Sequence, residues 1–523
     1  MMLLSQAAQA LGARLVGEDA RIFAVSSDSR KIQPGDLFIA LRGEHFDGYE
    51  FVATAMQSGA VAALVNADSY AAHNAILDPR SSMLVVDDTR FALGQLAAYW
   101  RRQFDIPLVA ITGSNGKTTV KEMLAGILRV AAGSDNAVLA TKGNFNNDIG
   151  MPLTLLQLNA QHRYAVIEMG MNHPGEINYL TQIACPDVAL ITNASGAHLA
   201  GMGSVEAVAH AKGEIFSGLQ QQGTAVINAD DAHAPLWRKL TGSHPLLEFG
   251  LDGEQADVTG QWQPHPRKGE AEGYPMPLAS PSRTGVGLHL DARTPSGDFS
   301  ANLQVLGAHN ARNALAATAA AIVLNVPLEV IVLGLEKFGG VAGRLQRKAA
   351  RHGAALIDDT YNANPASVRA AIDVLAQVAQ AGGKRVLVLG DMGELGDNAA
   401  VFHAEIGSAA REAGIDKLYA LGPLSINAAR DFGDGAEHFE RIEDLQKALE
   451  NELDADTTVL VKGSRFMKME RVVQFCLGDG KEEWAKGQGE SQGESQVESE
   501  KGSSVLTPSS PLPPPPSRDG RTQ

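Results

Sequence analysis

The chain reads as an α/β protein of three domains followed by a disordered tail, and three observations predict it. Its 523 residues are enough for about three domains at roughly 100–200 residues each. Short apolar runs of strand length alternate with segments of helical period, the pattern of parallel sheets joined by crossover helices. From Asp479 onward apolar residues nearly vanish and Gly, Ser, Glu and Pro take over. Such a segment cannot bury enough surface to offset its ordering entropy. The expected units are 1–104, 105–335, 336–478 and the tail 479–523.

The first unit opens with Leu4, Ala7, Ala8 and Leu11 at helical spacing, with Gly12 as a stop. The turn Pro34-Gly35 feeds a short apolar strand, and residues 61–65 and 83–87 read as further strands. The second unit begins with the buried-strand run Pro107–Ile111. A glycine loop follows, then a helix with Val120, Met123, Leu124, Ile127 and Leu128 on one face. Strands are expected at 164–168, 188–192 and 224–228. Val286, Leu288 and Leu290 alternate, as do Phe299, Ala301, Leu303 and Val305, so a small antiparallel hairpin is expected as an insertion. An alanine-rich helix runs from about Asn310 to Leu324. The third unit alternates strands at 354–358, 385–389, 417–421 and 458–462 with helices, a Rossmann-like doubly wound sheet. One helix there has Asn364 as N-cap and Pro365 in its first turn. A ligand is expected at the carboxyl ends of these strands.

Composition narrows the function. The chain has 44 basic and 60 acidic residues, a net charge of −16. It lacks the broad basic surface of a nucleic-acid coat, so any phosphate belongs in a local pocket. Two cysteines, Cys185 and Cys476, cannot make a disulfide framework, which points to a reducing compartment. No apolar run reaches the roughly 18 residues of a membrane span, and no basic residue precedes Arg14 as a secretory signal requires. A cytoplasmic location follows as the expectation.

The loop Gly113-Ser114-Asn115-Gly116-Lys117-Thr118-Thr119 carries the strongest chemical signal. Glycines between a strand and a helix let backbone N–H groups point at phosphate oxygens, and the helix N-terminus adds a favourable field. Lys117 supplies a point charge, and the Thr118 hydroxyl can hold Mg²⁺. Ile111 stands where the common pattern has its first glycine, so the loop is a shortened variant. Further hard ligands would be Glu168, at the carboxyl end of its strand, and His198, in the loop after the next strand. A solvated strand end and a loop histidine fit these two equally well. Lys212 reads from its surroundings as a helix-surface lysine.

Five blocks in order resemble the Mur ligase family of ATP-dependent amide-forming enzymes. They are Thr112–Thr118, Gly143–Asn147, Gly307–Asn313, Gly343-Arg344-Leu345 and Asp359–Pro365. The likeness spans about 1–478. Three stretches, Asn144–Gly150, Leu389–Gly396 and Val461–Arg465, resemble members that add D-alanyl-D-alanine to UDP-N-acetylmuramoyl-tripeptide. The Asp-Asn-Pro-Arg signature of the diaminopimelate- or lysine-adding members is absent.

The resemblance implies ATP phosphates on Gly113–Thr119, and Mg²⁺ held by Thr118, Glu168 and His198. It implies carbamoylation of Lys212, which would make that residue a metal ligand, and adenine near Asn310 and Asn313. It implies phosphate and ribose contacts from Arg344 and Asp359. The UDP of the sugar substrate would meet Ser29 and Arg30, with further substrate contacts from Asn144, Asn146 and Asn147. Lys117, His198 and Lys212 would be catalytic, in a chain expected to act as a monomer. Gln346 departs from the family, which often has Glu there. Two rivals share the loop: a folylpolyglutamate synthase-type ligase and a non-catalytic nucleotide-gated binding protein. About 100 residues ahead of the loop argue against the first. The metal-ligand candidates argue against the second.

Overall fold

The structure is a computed structural model that describes residues 1–43, 46–73, 81–196, 199–251, 256–264, 287–378 and 382–478. His198, Val286 and the tail 479–523 lie outside the described residues.

The described residues form three sheets. The first holds β1 (Arg14–Val16), β2 (Val25–Ser26), β3 (Leu37–Ile39), β4 (Ala62–Asn66) and β5 (Ser82–Val86) in the order β1-β5-β4-β3-β2. It is parallel except for β1, which runs antiparallel to β5. The predicted first helix is Leu4–Leu11, closed by Gly12 at φ 62°. The left-handed conformation there is one glycine adopts without strain.

The second sheet contains β6 (Leu108–Thr112), β7 (Val138–Ala140), β8 (Tyr164–Glu168), β9 (Val188–Ile191), β10 (Thr224–Asn228), β11 (Leu246–Gly250), β12 (Val258–Pro264), β13 (Leu288–Thr294) and β14 (Gly297–Leu303). Their order is β14-β13-β12-β11-β10-β9-β6-β8-β7. The β13–β14 hairpin forms as expected. β12 pairs parallel with β11 and antiparallel with β13, so the hairpin extends the sheet. β6 lies between β8 and β9, so the strands that end near Glu168 and Asn193 flank the glycine loop.

β6 shows why these short runs are strands. Its residues alternate between two cores: Leu108 and Ala110 face one, Val109 and Ile111 the other. The first core is shared with the first unit through the Thr89–Arg101 helix, whose Ala92, Leu93, Leu96 and Ala97 are buried in it. The second is covered by the helices Lys117–Ala132, Ala308–Val323 and Leu328–Glu336.

The third sheet holds β15 (Gln346–Ala349), β16 (Ala355–Asp359), β17 (Lys384–Gly390), β18 (Lys417–Leu421), β19 (Ala436–Phe439) and β20 (Thr457–Lys462). The order is β15-β16-β20-β17-β18-β19, and β16 to β19 are parallel. The edge strand β15 is antiparallel and escapes a sequence reading. Gln346-Arg347-Lys348 has no apolar run, and every residue of β15 keeps solvent contact. The predicted helix is Pro365–Val378, and Asn364 Oδ1 accepts the backbone N–H of Ser367 at 2.9 Å. No described helix is long and apolar enough to cross a membrane.

Candidate active site

The site grows from the junction of β6 and the Lys117–Ala132 helix. Gly113 sits at φ 149°, where an added Cβ would lie 1.8 Å from Thr192 Oγ1. Gly116 has φ 83°, and its Cβ would meet Asn313 Oδ1 at 2.5 Å. Both glycines are therefore required by close approach as well as by conformation. The turn after β9 holds the loop from the other side. Asn193 Oδ1 accepts the Asn115 N–H at 3.0 Å, and Thr192 Oγ1 donates to the Asn115 carbonyl at 2.6 Å. Ser114 Oγ accepts the Ser195 N–H at 3.0 Å. Thr192, Asn193 and Ser195 were not singled out from the sequence. Their signal is a polar run directly after a buried strand.

Lys117 folds back over the loop, donating to the Gly113 carbonyl at 2.6 Å. Burial pushes its ammonium below the usual lysine range, Glu168 pulls it back up, and Arg344 opposes that. Thr118 Oγ1 donates to Glu168 Oε2 at 2.9 Å and accepts from Arg344 Nη2 at 2.8 Å. Thr118 and Glu168 are 6% and 2% exposed. Two hard oxygen donors side by side at a phosphate loop fit a divalent cation. Asn146 Nδ2 donates to the other carboxylate oxygen, Glu168 Oε1, at 2.8 Å.

Lys212 is 2% exposed, so the surface reading is overturned. It ends the Val205–Gly213 helix among Val208, Ala209, Ala211 and Gly213, all buried. Small neighbours let the side chain inward. Burial, then the nearby charge of Lys117, pushes its amine well below the usual lysine range. Lys117 stands near it and Arg344 near Lys117, as basic groups in an acidic chain.

The third sheet reaches the same loop. Arg344 stacks on Tyr361, 4.2 Å from the ring centroid, and its Nε is buried without a hydrogen-bond partner among the described residues. Asn364 Nδ2 donates to Asn115 Oδ1 at 2.8 Å, so the N-cap also touches the loop. Asp359 accepts from the Leu345 N–H at 3.2 Å and from Lys462 Nζ at 2.6 Å. Lys462, which closes the fully buried strand β20, is a further candidate. Asn310 and Asn313 bond within their own helix start: Asn310 Nδ2 to the Leu306 carbonyl at 2.9 Å, Asn313 Nδ2 to Asn310 Oδ1 at 3.1 Å. Asn313 also abuts Gly116.

Other predicted residues sit elsewhere. Ser29 and Arg30 lie in a single turn, Ser29–Lys31, beside the first sheet, where Arg30 forms a two-pronged pair with Asp28. Asn144 is exposed. Asn147 Oδ1 accepts the Gly150 N–H at 2.8 Å at the start of the Gly150–Leu155 helix. Asp148 pairs with Arg90 of the Thr89–Arg101 helix.

Three family models match successive stretches of the chain. The model of the Mur ligase family, catalytic domain, matches residues 21–101. That of the Mur ligase middle domain matches 111–321, and that of the Mur ligase, glutamate ligase domain, 343–465. The chain is 40% identical over 476 residues to UDP-N-acetylmuramoyl-tripeptide–D-alanyl-D-alanine ligase of Haemophilus influenzae, covering 90% of this chain and 96% of that one. Its structure resembles MurF from Acinetobacter baumannii, with TM-score 0.78, 36% identity and coverage of 91% and 98%. It also resembles the MurF ligase of Thermotoga maritima in complex with ADP, with TM-score 0.73, 26% identity and coverage of 87% and 97%. The chain belongs to the Mur ligase family.

Proposed function

We propose that the chain joins D-alanyl-D-alanine to UDP-N-acetylmuramoyl-tripeptide at the expense of ATP, completing the pentapeptide precursor of peptidoglycan. One observation carries the chemistry: Thr118 of the phosphate loop lies between the Glu168 carboxylate and the guanidinium of Arg344, from the turn that leads into the third sheet. The substrates are argued from the Haemophilus influenzae relative, matched over 96% of its length.

A carboxylate resists attack by an amine, because its charge is delocalised and oxide is a poor leaving group. Transfer of the γ-phosphoryl group of ATP to the tripeptide's terminal carboxylate gives an acyl phosphate and ADP. The free amine of D-alanyl-D-alanine then attacks that carbonyl carbon, and inorganic phosphate leaves. Two anions must first approach each other. Lys117 and Arg344 offset that repulsion, and the loop N–H groups hold the phosphates. Thr118, Glu168, His198 and the carbamate of Lys212 would hold Mg²⁺, which supplies Lewis-acid neutralisation of the phosphoryl oxygens. Lys212 suits carbamoylation. A neutral amine is the form that adds to carbon dioxide, losing a proton and leaving a carboxylate-like anion, and burial shifts this amine toward its neutral form.

Asn310 and Asn313 flank the adenine, and Asp359 takes the ribose. Ser29 and Arg30 take the UDP, with Asn144 and Asn147 on the sugar-peptide. Three units, divided near 104 and 335, bring three substrates to one loop. Fixing them there can contribute up to about 7–11 kcal/mol in favourable cases. One chain supplies every group invoked, so a monomer suffices, and nucleotide substrates fit a cytoplasmic location.

The test is isotopic. Tripeptide labelled with ¹⁸O in its terminal carboxylate should pass one label into inorganic phosphate in step with product. Unlabelled phosphate would refute the acyl phosphate.

A further inference from the structure

We infer that Asn146 is a positioning residue for Glu168, so that the loop after β7 sets the geometry of the metal-side carboxylate. The inference rests on the proposed reading of Glu168 as a ligand of the divalent cation.

Glu168 is 2% exposed and its carboxylate is gripped on both oxygens. Thr118 Oγ1 donates to Oε2 at 2.9 Å, and Asn146 Nδ2 donates to Oε1 at 2.8 Å. Of these two donors only Thr118 belongs to the phosphate loop. Asn146 comes from the Asn144–Asn147 stretch, which would otherwise be assigned wholly to the sugar-peptide substrate. Its place is built from several directions. The Asn146 carbonyl accepts the Gly170 N–H at 2.8 Å, two residues past Glu168. A Cβ at Gly170 would lie 2.9 Å from Asn146 Oδ1, so the absence of a side chain there leaves the amide its room.

The backbone of Glu168 is fixed as well. Its N–H donates to Thr141 Oγ1 at 2.9 Å, and the Thr141 carbonyl accepts from Lys121 Nζ at 2.5 Å. Lys121 is 1% exposed, a buried cation two positions behind Thr119 in the same helix. The carboxylate is thus oriented by partners that would not themselves touch phosphate. Such partners hold a ligand's lone pairs toward the ion, and their loss typically costs about 10–100-fold in metal affinity. An amide N–H₂ on Oε1 leaves the second lone pair of each oxygen open and adds no charge.

The test uses the full-length chain and Mn²⁺, whose binding with ADP is read by electron paramagnetic resonance without turnover. Asn146→Ala should weaken Mn²⁺ binding about 10–100-fold. Affinity for ADP in EDTA should be unchanged, which reports an intact phosphate loop. Asn144→Ala, in the same loop, should leave Mn²⁺ binding unchanged. Glu168→Gln tests the underlying reading: if it binds Mn²⁺ as well as the parent, Glu168 is not a ligand and both readings fall. If Glu168→Gln loses Mn²⁺ while Asn146→Ala keeps it and raises only the KM for the UDP-tripeptide, the inference alone is overturned. An equal loss of metal-free ADP binding in Asn146→Ala would also overturn it, by showing that Asn146 supports the loop rather than the carboxylate.

Discussion

Two lysines carry the account at the scale of single residues, and they were not equally legible. Lys117 could be read directly, because a Gly-Lys-Thr between a buried strand and a helix has few other uses. Lys117→Ala should lower turnover by at least about 10²–10³-fold, the cost of removing one preorganised group at a developing charge. Its circular dichroism should match the parent, since among the described residues the ammonium bonds only to its own loop. Lys212 looked like a surface residue, because alanines and glycine around it give no sharp apolar stripe. Its burial has a thermodynamic consequence. A lysine held below its unfolded pKa binds its proton more readily in the unfolded chain. Folding therefore loses stability at neutral pH, and regains it as pH rises toward the unfolded value near about 10.4. In buffer freed of carbon dioxide, Lys212→Met should be inactive yet melt higher than the parent at pH 7. That gain should shrink as the pH rises toward 10 or so. A lower midpoint at pH 7 would contradict the buried neutral amine.

At the scale of elements, the strands announced by short continuous apolar runs lie within a residue or two of where the sequence put them. β15 and the junction of β12 with β11 were not so announced, because a polar edge strand and a strand that changes partners leave no periodic trace. The glycine loop shows what sterics adds to motif. Thr192 stands 1.8 Å from where a Cβ on Gly113 would be, and its hydroxyl also bonds the Asn115 carbonyl. Gly113→Ala must push Thr192 off that carbonyl. It should destabilise the chain by about 1–3 kcal/mol in urea unfolding, as overpacking does. ADP binding, followed by calorimetry, should be lost with it.

At the scale of the whole molecule, the site depends on contacts no local reading could place. Arg344 meets Thr118 from 226 positions away, and Asn364 meets Asn115 from 249. The blocks that carry them were visible, but their meeting is a property of elements beside the second and third sheets converging on one loop. Arg344 combines a stack on Tyr361 with a donor aimed at Thr118, a geometry a single ammonium cannot reproduce. Arg344→Ala should lower kcat by about 10²–10³-fold, and Arg344→Lys should not restore it.

The acidic balance of −16 excluded a broad basic surface while leaving room for basic groups gathered at one junction. What that junction does is open to one direct measurement: phosphate release and product mass with ATP, UDP-N-acetylmuramoyl-tripeptide and D-alanyl-D-alanine, each omitted in turn. The account predicts release only when all three are present, with ADP, phosphate and UDP-N-acetylmuramoyl-pentapeptide formed in equal amounts. Steady release without D-alanyl-D-alanine, or turnover that requires a folate instead, would contradict it.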